Sequence, residues 1–476
     1  MASWLRASLL CAAVLWPSLR PVGLPRRHHF GGESPFQFYC NFMNYFRKQI
    51  IHQAFVVLFA AALVGVHWVS ADQGRTLTRD QAIRLAFQNN REIGIAELEI
   101  RRASSRLEWS GRLENPELEV SASGDGVGLN EGEGSYEVAF TQSFPLTSKL
   151  KHEKGLRSSQ VILAEAEIAE KRRELGGMVD EAIVDLLATR EGIRLERQLV
   201  VLNKEIVSLL SKQAEQGQIS RFEVTQASLN GRTRQQSLKS LEAIEKQERL
   251  NLNRLLGLDP TASVRLSENL DLPGARPSMD VSLERVLTQR PDYVLALAKI
   301  DEANASIVLE EASRWDDLSV KLFVEGEESV DVPRGLERNT FAGVGFSFPL
   351  PFRKRNQDGI AQAQIDRESA DKEVDAARFR IRAECEGAFH ERTDAWSLAR
   401  EASGEILQLA EDNLAGFRTA YEQGQASIIK VQMAQQQILE FRTAAIEFAA
   451  AYHRASARVR LATGAYPGLS ASSPAK

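Results

Sequence analysis

The chain has 476 residues, 43% of them hydrophobic and 26% charged, with a mean hydropathy of −0.27. That balance excludes a bundle of membrane-spanning helices and fits a folded protein with much charged surface. A net charge of −5 argues against nucleic acid as a partner.

In chain order, the first distinctive segment is residues 54–66 (AFVVLFAAALVGV), which follow Arg47 and Lys48 and precede Val69-Ser70-Ala71. A basic flank, a short apolar run and small residues at the cleavage positions predict a secretory signal. The run is too short for the roughly 20 residues that a spanning helix needs. Met43 as the start makes residues 1–42 an upstream extension; the alternative is a signal that begins at Met1. Cleavage after Ala71 leaves 53 basic against 63 acidic residues, a net charge of −10. It also removes Cys11 and Cys40, so Cys385 stands alone and an intrachain disulfide is excluded.

The rest of the chain repeats itself. Glu215-Gln216-Gly217-Gln218-Ile219-Ser220 returns as Glu422-Gln423-Gly424-Gln425-Ala426-Ser427, 207 residues later. Phe144-Pro145-Leu146 returns as Phe348-Pro349-Leu350, Leu256-Gly257 matches Thr463-Gly464, and the run from Ala82 aligns with that from Leu283. The expected organisation is an N-terminal extension and signal (1–71), then a first repeat over 76–257. That repeat has a hairpin at 117–145 and a coiled coil at 149–257. A linker over 258–280 leads to a second repeat over 281–465, with a hairpin at 318–350, a coiled coil at 354–464 and a tail at 466–476.

Within each repeat two kinds of pattern appear. Leu118, Val120 and Ala122 alternate with Glu117, Glu119, Ser121 and Ser123, and Val138 and Phe140 alternate with polar neighbours. Val320, Leu322 and Val324, then Val344, Phe346 and Phe348, do the same in the second repeat. This is the signature of barrel strands with one apolar and one polar face. Four strands cannot close a barrel in lipid, so the chain is expected to oligomerise. Two copies would make a barrel filled by its own side chains, and three copies of twelve strands the smallest with a lumen. The alternative is that the hairpins form an ordinary soluble sheet. After each hairpin comes a stretch without proline, 146–259 and 352–466. Val179, Leu186, Ile193, Val200, Val207 and Ala214 recur there every seven residues. Together these predict coiled-coil rods, the first from about Lys149 to Gln216 and roughly 100 Å long.

This order of signal, short helix, hairpin ending in Phe-Pro-Leu, long helix, Gly-x-x-Ser turn and returning helix, repeated once, resembles the TolC-like outer-membrane efflux proteins. Asn115-Pro116-Glu117-Leu118 and the run Pro349-Leu350-Pro351-Phe352-Arg353-Lys354-Arg355-Asn356-Gln357-Asp358-Gly359 are most similar to the heavy-metal (cobalt–zinc–cadmium) branch. The resemblance implies an α+β membrane protein, with long antiparallel coiled-coil helices plus four β-strands per chain. It implies a homotrimer forming a 12-stranded outer-membrane barrel in lipid and an α-helical periplasmic tunnel. Its implied partners are a periplasmic adaptor (membrane fusion) protein and an inner-membrane RND pump. No cofactor and no catalysis of its own are implied. A duct for drugs or for type I protein secretion shares the fold, and a periplasmic coiled-coil scaffold is the reading from another class.

The candidate adaptor-docking tip is Gly217, Gln218, Ser220, Gly424, Gln425 and Ser427. The glycines suit left-handed residues at helix C-termini and the serines suit N-caps, so these residues also turn the chain. Six residues past each glycine stand Glu223 and Lys430, where related ducts carry acidic rings. This pair is either a candidate aperture gate or two solvated charges. Lys149, Lys151, Lys154, Arg353, Lys354 and Arg355 mark the rim where strands pass to helices. His152, His390, His453 and Cys385 lie too far apart to form a metal site by spacing.

Overall fold

The computed structural model describes residues 75–124, 133–278, 282–331 and 333–469. The expected signal and N-terminal extension, and the end of the tail, lie outside the described residues. The elements run β1 (Arg75–Leu77), α1 (Arg79–Asn89), α2 (Arg91–Trp109), β2 (Glu117–Gly124), β3 (Gly134–Phe144), α3 (Lys149–Glu215), α4 (Arg221–Leu255) and β4 (Val264–Leu266). There follow α5 (Leu283–Gln289), α6 (Pro291–Ala312), β5 (Leu318–Asp331), β6 (Gly335–Ser347), α7 (Gln357–Ser403), α8 (Glu405–Glu422) and α9 (Ile428–Thr463).

Helix α3 has 67 residues, a rod of about 100 Å. Val179, Leu186 and Ile193 of its heptad stripe are buried, whereas Val200, Val207 and Ala214 are half-buried toward the tip. Against it, α4 returns antiparallel. Arg190 meets Glu245 at 3.0 Å, Arg197 meets Glu242 at 2.8 Å and Arg234 meets Glu196 at 3.2 Å. Arg197–Glu242 is exposed and the other two are part-buried; an exposed pair contributes about 0–1 kcal/mol, so the pairs set register more than they hold the rods together.

Three features depart from the sequence reading. The short helix ahead of each hairpin is two helices, α1 with α2 and α5 with α6. The second coiled coil is broken at Gly404 between α7 and α8, where α3 is unbroken at its counterpart Arg197. The linker contributes β4, which pairs in parallel with β1.

At mid-rod the copies pack by the same geometry with different residues. Asn90 caps α2 and sends its Nδ2 to the Leu255 carbonyl at 2.9 Å. Arg290 holds the equivalent N-cap position of α6 without a capping bond and donates to the Ala462 carbonyl at 2.8 Å, its charge matched by Asp292 at 2.7 Å and Glu384 at 2.9 Å. Gly257 and Gly464 end α4 and α9 with φ of 68°. A Cβ on Gly257 would stand 2.2 Å from the Asn89 carbonyl oxygen, and one on Gly464 would stand 3.0 Å from that of Gln289. The core lies here: Ile83, Val179, Ile183, Leu186, Leu252 and Leu256 in one cluster, Val286, Ile381, Phe389 and Val459 in the other.

Asp180 is fully buried in α3, with Arg460 Nε at 3.5 Å and Arg79 Nε at 3.7 Å. Burial pushes its carboxyl up to about 6, and the two guanidiniums offset only part of that.

The sheet order is β2-β3-β5-β6, all antiparallel. The register sets Leu118, Phe140, Leu322 and Val344 in one row and Val120, Val138, Val324 and Ala342 in the next. This apolar face is open: Leu118 and Val120 are each 71% exposed. Opposite lie Glu119, Glu137 and Lys321, with Lys321 Nζ 2.5 Å from Glu137 and 3.7 Å from Glu119. The edges β2 and β6 each have one side without a strand partner among the described residues.

Two outcomes test this packing. Gly257→Ala places a methyl against a carbonyl at positive φ and is expected to cost at least about 2 kcal/mol, read as a lowered melting temperature. For Asp180, protonation stabilises the fold fully below the unfolded value of 3.8, and this is lost as pH rises through about 6. Asp180→Asn should therefore flatten the fall in thermal stability between pH 4 and pH 6, a difference of about 3 kcal/mol; an unchanged slope would exclude Asp180 as its source.

Candidate functional site

At the far end of the rods, each returning turn is built by the same backbone device. The Gly217 N–H donates to the Ala214 carbonyl at 3.1 Å and the Gln218 N–H to Gln213 at 2.9 Å. In the second copy Gly424 donates to Tyr421 at 2.9 Å and Gln425 to Ala420 at 2.8 Å. This pair of bonds, with the residue after the cap in the left-handed region, satisfies the last carbonyls of a helix. Both glycines have φ of 72°, and no atom lies within 4 Å of a Cβ built on either. Glycine is required by the turn's conformation here, not by crowding.

The serines differ. Ser220 caps α4, its hydroxyl accepting from the Phe222 N–H at 3.1 Å. Ser427 takes the same extended conformation at the start of α9, but its side chain makes no capping bond. Glu223 and Lys430 occupy matching places, each N–H donating at 3.0 Å to the carbonyl of its capping serine. Within one chain no ion pair joins them among the described residues. Gln218 and Gln425 are exposed beside the glycines.

Two tip features escaped the sequence reading. Phe222 is 75% exposed and Ile429 is 58% exposed. They are equivalent positions, so each turn carries one bare apolar side chain two residues past its serine. The pattern Ser-x-apolar in both copies was the available signal. The second is a link between the hairpins: Tyr421 Oη donates to Gln213 Oε1 at 3.0 Å. Tyr421 corresponds to Ala214 of the first copy, so this bond exists because the copies differ.

The sheet's polar face supplies the other part of the site. By register it presents Glu117, Glu119, Glu137, Glu325, Glu327 and Glu337, with Lys321 as the one cation among the described residues. Phe323 packs there over Gly343, whose Cβ would stand 2.6 Å from its ring. At the rim, Lys149 Nζ approaches Asp317 at 3.6 Å. Arg353, Lys354 and Arg355 are exposed. Among the described residues no group of three or more His, Cys, Asp or Glu converges as a metal site would require. Cys385 is buried, its thiol donating to the Ala462 carbonyl at 3.3 Å. No described helix is long and apolar enough to cross a membrane.

The family described as "Outer membrane efflux protein" matches residues 82–258 and 282–465. The pyoverdine export outer membrane protein OpmQ of Pseudomonas putida is 24% identical over 281 residues, 55% of this chain and 58% of that protein. The chain thus matches less than two thirds of this relative's length. Among solved structures, the Campylobacter jejuni CmeC outer membrane channel superposes with a TM-score of 0.65 at 16% identity, over 81% of this chain and 85% of that one. The open-state MtrE outer membrane channel of Neisseria gonorrhoeae gives 0.64 at 16% identity, over 81% and 88%.

Because the tip glycines stand in open space, Gly217→Ala and Gly424→Ala should each cost about 1 kcal/mol through backbone conformation alone. The expected sign is faster amide exchange confined to residues 213–220 or 420–427, with the mid-rod unaffected.

Proposed function

This chain belongs to the outer membrane efflux protein family, and we propose that three copies of it form the passive outer-membrane duct of a tripartite export system. In this reading the sheets close into a 12-stranded barrel and the rods into a periplasmic tunnel. A periplasmic adaptor seats on the two turns through Gly217, Gln218, Ser220, Gly424, Gln425 and Ser427, with Phe222 and Ile429 as apolar anchors. An inner-membrane RND pump supplies the energy. The observation that carries the reading is the sheet: one bare apolar face, one acidic face and two open edges.

The proposed cargo is heavy-metal cations. Among the described side chains, six carboxylates against one lysine on the polar face make a field that favours cations along the barrel. The run from Pro349 to Gly359 supports the same branch. A second reading, export of pyoverdine or a compound like it, is favoured by the similarity to OpmQ. Glu223 and Lys430 are proposed to pair between neighbouring copies and hold the aperture closed, a contact worth about 0–1 kcal/mol per pair.

Growth of a deletion strain with zinc, cobalt, cadmium, copper and organic toxins separates the two cargoes. Hypersensitivity to the metals is expected; sensitivity to organic compounds alone would contradict the metal assignment. In planar bilayers across a salt gradient, the reversal potential should lie on the cation side and move toward zero in Glu325→Gln with Glu327→Gln. For the tip, Phe222→Ser with Ile429→Ser should change stability by less than about 0.5 kcal/mol, as expected of exposed sites, yet abolish export in cells. Full export by that variant would remove both residues from the docking surface.

A further inference from the structure

The loop that carries the chain from the barrel strands into α7 has a construction that the duct alone does not require. β6 ends at Ser347; Phe348 keeps the two-residue spacing of Val344 and Phe346 and stacks on Trp315 with ring centroids 6.3 Å apart and planes 11° apart. Leu350 and Phe352 follow, 58% and 79% exposed. Arg353, Lys354 and Arg355 come next, and none of them has a carboxylate within ion-pair distance among the described residues. The sequence thus passes within five residues from bare apolar side chains to unpaired cations.

A concavity of about 370 Å³ lies between Arg314 and Trp315 on one side and Pro351, Arg355, Gln357 and Gln364 on the other. Arg355 is positioned by its own loop. Its Nε donates to the Pro351 carbonyl at 3.0 Å, and its backbone N–H donates to Gln357 Oε1 at 2.8 Å. Asn356 then turns the chain at φ of 55°, the one non-glycine residue at positive φ among those described. Its amide nitrogen donates to the Glu310 carbonyl at 3.0 Å and to Glu310 Oε2 at 2.5 Å. Asn356 thus engages Glu310, and Arg314 is paired with Glu311 at 3.5 Å, both groups exposed. Asparagine adopts this region readily, and here it fixes where the loop ends and α7 begins.

We propose that this concavity binds the phosphate headgroup of a glycerophospholipid in the periplasmic leaflet of the outer membrane. Arg314 and Arg355 hold the phosphate, Gln357 and Gln364 offer polar contacts, and the Trp315–Phe348 stack lies against the upper acyl chain. Arg guanidinium forks match phosphate oxygens, and an aromatic body with a polar tip belongs at the headgroup level. Continuity with the barrel's apolar face selects a lipid over a free anion, because Phe348, Leu350 and Phe352 offer nothing to inorganic phosphate. The inference rests on the reading of that face as lipid-facing. It adds an anchor that fixes the depth of the barrel, and with it the reach of the rods.

Native mass spectrometry of the purified oligomer tests it, with phosphatidylglycerol as the lipid probe and inorganic phosphate as the second arm. Arg314 and Arg355 are exposed, so R314A/R355A should fold, and Lys151→Ala serves as a control cation outside the concavity. Expected are bound phosphatidylglycerol on the wild type and on the control, at least tenfold weaker on the double variant, and no retention of inorganic phosphate. Equal lipid retention by the double variant, or phosphate binding that competes with lipid, would overturn the proposal. A wild-type protein that is monomeric and non-conducting would instead contradict the duct, and the lipid site with it.

Discussion

Backbone hydrogen bonding at the two edges of a four-stranded sheet governs the rest of this molecule. In lipid, each unpaired N–H or carbonyl costs several kcal/mol, and β2 and β6 present a full row of them. The adjoining face is apolar and bare, so the sheet can neither shed its lipid contact nor tolerate its own edges. Pairing β6 of one copy with β2 of the next removes both edges without new sequence. In the proposed closed form the rods of neighbouring copies also come side by side, since β3 leads into α3 and β6 into α7.

Duplication supplies the material for that closure, and inequality between the copies supplies what duplication cannot. The glycine turns at Gly217 and Gly424 and those at Gly257 and Gly464 repeat the same backbone hydrogen bonds and the same positive φ. The mid-rod does not: Asn90 reaches the end of α4 as a neutral amide, whereas Arg290 reaches the end of α9 as a charge held by two carboxylates. The tip differs again, since Tyr421 reaches across to Gln213 while its counterpart Ala214 cannot. The break at Gly404 likewise interrupts the second rod pair where the first runs on unbroken.

How much of this was legible depended on whether the physics was local. Proline exclusion and a heptad stripe announced α3 to within a residue of its end, and period-two alternation marked all four strands of the sheet. The Gly404 break was not legible, because Gly176, Gly177 and Gly192 lie within α3 without interrupting it. Gly176 and Gly177 admit the Tyr466 ring and Leu461 instead, a reason that exists only in the packed structure. β1 and β4 are three residues each and pair across most of a repeat, too short for any periodicity to register. At the tip, the glycine turns were readable from their conformational demand. Phe222 and Ile429 were not legible as surface anchors, because exposure of an apolar side chain is a tertiary property. The rim cations were visible as a run, but Asn356's left-handed turn and the Trp315 stack that shape them were not.

The central claim is that neighbouring copies complete the sheet, and cysteine cross-linking of the edges tests it most directly. With Ser121→Cys on β2 and Gly345→Cys on β6, both on the polar face, oxidation in membranes should yield a ladder of linked species that ends at three chains. A ladder that continues past three, or a product confined to single chains, would contradict closure by three copies.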